Sequence, residues 1–500
     1  MTEKTITIIG AGLAGLSTGC YAQMNDYQSQ IFEQHIHPGG LAACWKRKEF
    51  IIDGGIHFIA GHKPGVASHE IFQELGATNA RFVDMTTYAR YIDETTGQRI
   101  EITRDLNKLR NDLLALFPED QKVIKEIISG AQAMEKTDIS DIGFRKPPEL
   151  MRLRDKVGEI WKLRGLWRYF TGKFNSPVKH YAERVHNVTF RDFLMNVFLP
   201  EVPVWFVMMI LGLVAAGQMS ILEDGSQEFV RAIEQRYIEL GGNVSYQAGV
   251  EEILVEDDRA FGVRLGDDST YRSDFVVSAA DGYHTIYELL KGRYISKKIQ
   301  ERYSTWRLAS PIVVVSFGVA QEFKEYPWLT ILGLEKPITV ASNEINGFAY
   351  RIFNYSSRFA PPGKTVVQVI FETDWRFWSE LRKNKGSYVA EKEEVAAVVL
   401  NRLEKHLPGI SSQIEVTDVA TPYTYWRYTH NREGSIMGWV PTPEVMRAHV
   451  EKTLPRLKNF YMAGQWAMPT GGVQPSLYSG RHGIQLICQH EGKHFKTICP

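Results

Sequence analysis

The chain has 500 residues, 44% of them hydrophobic and 23% charged, with Lys plus Arg and Asp plus Glu balanced at 58 each. That length exceeds one ordinary core and calls for two or more domains, while the charge balance supplies no field that would gather nucleic acid. Cys20, Cys44, Cys488 and Cys499 are scattered without a C-x-x-C pair, so neither a disulfide scaffold nor a zinc site is expected, and no metal centre is expected elsewhere.

The apolar run Thr5-Ile6-Thr7-Ile8-Ile9 reads as a buried parallel strand that enters Gly10-Ala11-Gly12-Leu13-Ala14-Gly15 and then a helix through Met24. Gly10 permits the tight turn, Gly12 lets the backbone approach a pyrophosphate, and Gly15 lets helix pack on strand. The N–H groups and dipole of the helix start, at Leu13 and Ala14, favour phosphate. A second strand, Ser29-Gln30-Ile31-Phe32, ends at Glu33, eighteen residues past Gly15. A carboxylate there can accept from both ribose hydroxyls and would repel a 2′-phosphate. No basic leader precedes the first apolar run, so export is not expected and a cytoplasmic setting is.

Two further glycine pairs follow, Gly39-Gly40 and the Gly54-Gly55 of Asp53-Gly54-Gly55-Ile56-His57, with Lys46 and Arg47 between them as positive charges for the same ligand. From Glu70 to about Phe198 the chain reads as largely helical, interrupted at Pro118, Pro147-Pro148 and Pro177. Within it, residues 145–179 are basic and aromatic, with Leu150, Leu153, Val157, Ile160, Leu163, Trp167 and Phe170 at helical spacing. Such a stripe is either a membrane-facing amphipathic surface or the solvated outer face of a domain helix. The apolar run Val202 to Ala216 has fifteen residues, short of the ~20 that span a bilayer, and reads as a buried helix or tunnel wall.

A helix from about Ser226 to Leu240 ends at Gly241-Gly242. Short strands are expected at Asn243–Tyr246, Glu252–Glu256 and Ala260–Leu265, then an apolar strand from Asp274 to Ala280. Ile312–Val319, Ala349–Phe353 and Thr365–Phe371 read as strands of a separate sheet. The end returns to a buried strand, Phe460-Tyr461-Met462-Ala463, then Gly464, a Gly- and Pro-rich loop, and a last helix opened by Gly471-Gly472-Val473.

These elements give an α/β chain. A discontinuous Rossmann-like domain (1–69, 218–285 and 455–500) carries an inserted α+β substrate domain (70–217 and 286–454) with its own sheet and a helical region. Three glycine elements, the last opening a helix that can face an isoalloxazine edge, favour FAD over a nicotinamide cofactor. No second G-x-G-x-x-G opens a strand-helix unit, so electrons enter or leave through an external donor or acceptor, through oxygen, or not at all.

The chain resembles the phytoene desaturase, carotenoid isomerase and retinol saturase group of flavoproteins. The resemblance is carried by Gly10–Glu33, by Pro38-Gly39-Gly40 through His57, by Asp274–Asp281, and by Ala463-Gly464 through Gly483. It implies an FAD enzyme acting on an elongated apolar unsaturated molecule, by desaturation, saturation or isomerisation. It also implies that the backbone at Val250 contacts adenine and that Gly464, Gln465, Gly472 and Val473 hold the cofactor's far end. Gln465 stands where relatives often carry an acid, and Leu41 where many carry arginine. Candidates for shaping the flavin face are His57, Tyr428 and Trp466; each is equally readable as structure, His57 as a hydrogen-bonded histidine and Trp466 as core. The alternatives are a flavin amine oxidase and a non-redox lipid- or prenyl-binding protein on the same fold.

Overall fold

The computed structural model describes residues 3–138, 144–469 and 471–500. Residues 139–143, inside the stretch read as helical, lie outside the described residues.

The opening strand, Thr5–Ile9, is the middle of a five-stranded sheet ordered Asn243–Ser245, Gln28–Phe32, Thr5–Ile9, Phe275–Ser278, Phe460–Met462. Each neighbouring pair is parallel, with Ile8 opposite Ile31 on one side and Val277 on the other. Its strands therefore come from the start, the middle and the end of the chain. Apolar runs such as Ile6-Thr7-Ile8-Ile9 suit this position because a parallel sheet is covered on both faces. The opening helix (Leu13–Met24) packs against the closing helix (Val473–His490). A methyl group at Gly480 would lie 2.6 Å from the Thr18 nitrogen and 2.7 Å from the Ala14 carbonyl oxygen, so the two backbones touch directly.

A seven-stranded sheet is ordered Ile414–Ala420, Ile312–Val319, Thr365–Glu372, Asn343–Ile352, Leu329–Val340, Thr87–Asp93, Arg99–Thr103. One face, with Val313, Val315, Val367 and Val369, packs on the helix Lys385–Leu403 through Val395, Val399 and Leu403. The other face, with Ile312, Val314 and Ile370, looks toward Leu41, Trp45 and Tyr425. Alternate residues along each strand serve the two faces.

The stretch 70–198 opens at the end of the helix Ala67–Glu74 and is largely helical from Leu106 on, with helices at Leu106–Leu116, Gln121–Glu135 and Val188–Val197, but it also holds strands that were not read, at Phe82–Asp84, Thr87–Asp93 and Arg99–Thr103. Thr87–Asp93 pairs in parallel with Leu329–Val340, a partner over two hundred residues away. Its other neighbour is local, the antiparallel Arg99–Thr103, so only its place in the larger sheet depends on a distant partner. Val204–Ala215 is a helix in the core formed with Gln121–Glu135. Its Phe206, Met209 and Leu213 are only partly buried and make one apolar stripe. The basic stretch 145–179 is a series of short turns around one helix, Leu153–Lys162, rather than one long amphipathic helix. Among the described residues no helix is long and apolar enough to cross a membrane.

Candidate active site

The opening loop is built as a cradle. Gly10 leaves the strand at φ 93° and donates its N–H to the Phe32 carbonyl at 2.8 Å. The helix behind it starts with Gly12 as N-cap, with no side-chain cap and no acid in the first turn, so its N–H groups and positive dipole end are left for a ligand. The Gly39 N–H donates to the Ala11 carbonyl at 2.9 Å, which lays the second glycine pair against the first loop.

Gly12 tests the fit of a dinucleotide. Its backbone (φ −72°, ψ 177°) is open to any residue. A methyl group there would meet nothing nearer than the Gly39 carbonyl oxygen at 3.9 Å. Neither conformation nor packing within the chain demands glycine, so the space it leaves suits the close approach of a pyrophosphate.

Glu33 is buried at the end of its strand. One carboxylate oxygen accepts from the Ala11 N–H at 2.7 Å and the other from the His35 N–H at 2.8 Å. Each oxygen keeps a lone pair for a ribose hydroxyl. Burial raises the Glu33 pKa against the lowering by those two N–H bonds. The Ala248 N–H donates to the Glu33 carbonyl at 2.8 Å and the Gln247 N–H to the His35 carbonyl at 3.1 Å, so the chain leading into Val250 runs beside this strand end.

The arm Asp53–Ala60 crosses from the cradle to the second sheet. The Asp53 carboxylate accepts from the N–H groups of Gly55 and Ser226 at 3.0 and 2.9 Å and from the Ser226 hydroxyl at 2.7 Å. A methyl group at Gly55 would lie 2.7 Å from that hydroxyl oxygen, so the arm has no room for a side chain there. The closing helix reaches the same arm: Gln474 Nε2 donates to the Ala60 carbonyl at 2.6 Å. Its N-cap, Gly472, again has no side-chain cap, and Val473 is its first residue. The Gly464 N–H donates to the Ser479 hydroxyl at 2.7 Å, and a methyl at Gly464 would sit 3.7 Å from Ala14 Cβ. Two uncapped helix ends and the arm are thus gathered in one region.

The remaining predicted residues divide. Lys46 is exposed on a hairpin, and Arg47 Nε donates to Asp418 at 2.6 Å; among the described residues neither has a hydrogen bond or ion pair to the glycine cradle. Gln465 is partly buried, with its Cγ 3.4 Å from where a methyl at Gly438 would stand. Trp466 is 3% exposed and packs edge-on against Trp439 with centroids 5.2 Å apart, in a core cluster rather than along a pocket. Tyr428 is 44% exposed and its ring rests on His35 at 5.0 Å, on the outer side of the helix Pro422–Thr429. Tyr425, one turn earlier, is the residue that points inward: its hydroxyl lies 3.7 Å from a methyl placed on Gly54. Three-residue spacing puts both tyrosines near one side of that helix, so sequence gave no reason to prefer one.

His57 makes no hydrogen bond among the described residues and is half-buried on the arm. Burial, and then the nearby Arg351 guanidinium, hold its pKa well below the usual histidine value, so the ring is neutral at neutral pH. Arg351 was not singled out in the sequence. It sits on Asn343–Ile352, opposite Gln368, and its Nη2 donates to the Asp53 carbonyl at 3.1 Å and to Gln368 Oε1. The strand's alternation marks its face but not what that face meets.

Among the described residues no group of His, Cys, Asp and Glu could hold a metal ion. The chain matches the family described as flavin containing amine oxidoreductase over residues 13–486. It is 23% identical to the chloroplastic prolycopene isomerase of Arabidopsis thaliana, over 97% of this chain and 81% of that protein. It is 21% identical to the lycopene-forming phytoene desaturase of Pseudescherichia vulneris, over 97% and 99% respectively. Among solved structures it is similar to an oxidoreductase from Methanosarcina mazei, with a TM-score of 0.60 at 17% identity, covering 96% of this chain and 100% of that one.

Proposed function

From its membership of the flavin containing amine oxidoreductase family, to which this chain belongs as an FAD-dependent oxidoreductase, we propose a desaturase, saturase or isomerase of elongated apolar unsaturated molecules. The observation that carries this over amine oxidation is similarity to a prolycopene isomerase and a phytoene desaturase over almost the whole chain. The partly buried stripe of Phe206, Met209 and Leu213 offers apolar contact.

In this reading Gly12, Leu13, Ala14 and Gly15 hold the pyrophosphate, Glu33 the ribose, and the start of the closing helix at Gly472 and Val473 the pyrimidine edge. FAD, when bound, supplies a two-electron acceptor or donor at N5. The chain's own residues position and insulate: the arm fixes His57 beside Arg351, and burial keeps that imidazole from adding a second positive charge. The division into 1–69, 218–285 and 455–500 for cofactor and 70–217 and 286–454 for substrate belongs to the same proposal, as does an external electron partner.

A membrane surface is the proposed source of substrate. On Leu153–Lys162, Leu153 is 78% exposed, Val157 55%, Ile160 57% and Trp161 65%, beside Arg152, Arg154 and Lys156. Exposed apolar side chains flanked by cations suit an anionic bilayer surface.

The test is anaerobic reduction of the flavin followed by a panel of polyenes, retinoids, unsaturated lipids and amines. Reoxidation by a polyene or another apolar unsaturated compound, with amines unable to reduce the oxidised enzyme, is expected. Rapid reduction by an amine, with peroxide formed in air, would overturn the reading.

A further inference from the structure

Arg351 is 5% exposed and its Nε has no hydrogen-bond partner. Its Nη2 is spent on two neutral acceptors, the Asp53 carbonyl and Gln368 Oε1. The acid close by, Asp53, already receives three donors from Gly55 and Ser226, so it is committed to the arm. The Asp53 charge still acts on the guanidinium, but burial outweighs it and lowers the Arg351 pKa, so a buried guanidinium with a free Nε is costly to keep.

The Phe353 ring lies under the guanidinium at 5.2 Å, and phenols stand nearby. The Tyr425 hydroxyl is buried without a partner, in a residue 7% exposed. Tyr355 lies close enough for its phenol to respond to the Arg351 charge, as do Tyr425 and His57. Tyr355 also packs, partly buried, against the helical core that carries Phe206, Met209 and Leu213. The polar cluster therefore stands where the arm meets the second sheet and borders the helical core. It has a guanidinium Nε and a phenol hydroxyl that are both buried without hydrogen-bond partners.

We infer that Arg351, with Tyr425, anchors a carboxylate at one end of an otherwise apolar substrate. The site thereby selects an unsaturated acid over the corresponding alcohol, ester or hydrocarbon. This rests on the apolar-substrate reading above and narrows it. A charge-assisted hydrogen bond in a buried place is stronger than a neutral one, and its loss here should cost about tenfold or more in affinity.

The probes are all-trans-retinoic acid, its methyl ester and all-trans-retinol, which share one polyene and differ at the terminus. They are titrated into the oxidised holoenzyme and followed by the flavin's visible band and by tryptophan fluorescence. The acid should bind at least about tenfold tighter than ester or alcohol. Arg351→Met should erase that preference, Arg351→Lys should keep part of it, and Tyr425→Phe should reduce it severalfold while flavin content stays full. The comparison of acid with ester uses the unaltered protein, so it stands even where Arg351→Met does not fold. Equal binding of acid and ester overturns the inference, as does loss of flavin from a well-folded Arg351→Met, which would give the guanidinium to the cofactor. If a hydrocarbon polyene reoxidises the reduced flavin while the acid has no advantage, the general function stands and the anchor falls. If no polyene of any kind reaches the flavin, both fall.

Discussion

A methyl group on Gly15 would stand 1.9 Å from the carbonyl oxygen of Gly10, inside the chain's own backbone. At Gly12, three residues earlier, the same group would meet nothing nearer than 3.9 Å. The two glycines therefore answer to different demands. Gly15→Ala should destabilise the fold by about 3 kcal/mol or more, since backbone cannot yield as a side chain can. Gly12→Ala should fold with an unchanged melting temperature when both proteins are stripped of cofactor, yet be isolated with little FAD. Visible absorbance per polypeptide and thermal unfolding of the apoproteins measure the pair. A yellow Gly12→Ala protein with full flavin would refute the role given to Gly12.

His57 should not titrate in the working range. Burial and the Arg351 charge both favour the neutral ring. The rate of flavin reoxidation by a competent substrate should therefore show no limb near pH 6.5. His57→Gln should change the rate without changing the shape of the pH profile. A limb near 6.5 that vanishes in the variant would show that the ring gains and loses a proton during turnover.

His482 on the closing helix should make the protein acid-sensitive. Its Nε2–H donates to the Phe144 carbonyl while Nδ1 is buried without a partner. Burial first, then Lys452, pulls its pKa from 6.5 to about 3. Between those values the unfolded chain binds a proton that the native chain does not. The contribution is thus fully present above pH 6.5 and is lost as pH falls toward 3. Asp281 acts in the opposite sense: burial raises it to about 6, so stability declines as pH rises from 3.8 through that value. Comparing urea midpoints of the wild type and His482→Gln at each pH cancels Asp281. The wild type should lose ground to the variant as pH drops from 7 to 4.5. A constant difference over that range would contradict the assignment.

Glu94 accepts from Arg402 and, at 2.7 Å, from His406 Nε2, with side chains only 9% and 10% exposed for the Glu94–Arg402 pair. This joins the turn after Thr87–Asp93 to the helix Lys385–Leu403 on the sheet's outer side. Glu94→Ala leaves a buried cation unpaired and should cost about 3–5 kcal/mol. The measurement is denaturant unfolding, together with flavin content per folded molecule, which should be unaltered because the pair lies on the helix-covered face.

The exposed helix gives a fifth readout. Leu153→Ser with Trp161→Ser should lower co-sedimentation with vesicles containing anionic lipid severalfold, and added salt should weaken the wild-type interaction. Equal sedimentation of wild type and variant would remove the membrane surface from the proposal.

The opening cradle was readable because its logic is local. Gly10, Gly12, Gly15 and Glu33 lie within one strand–turn–helix–strand unit, and spacing along the chain fixes their spacing in space. Thr87–Asp93 forms a local hairpin with Arg99–Thr103, but its place in the seven-stranded sheet was not readable, because the strand that joins it there is Leu329–Val340. Tyr428 and Tyr425 show the same limit within one short helix: only packing decides which faces Gly54. Trp466 fills a core with Trp439 because the loop after Gly464 turns it that way.

The sequence by itself determined the glycine cradle, the parallel sheet assembled from three distant segments, and the apolar helix at Val204–Ala215. Each follows from short-range patterning of apolar residues, glycines and one acid. Only the tertiary structure decided what stands opposite the cradle. It set Arg351 against the Asp53 carbonyl, drew Arg47 away to Asp418, and turned Tyr425 rather than Tyr428 inward. Those outcomes depend on contacts between residues hundreds of positions apart. Burial and electrostatic partnership are properties of such contacts, and no window along the chain contains them.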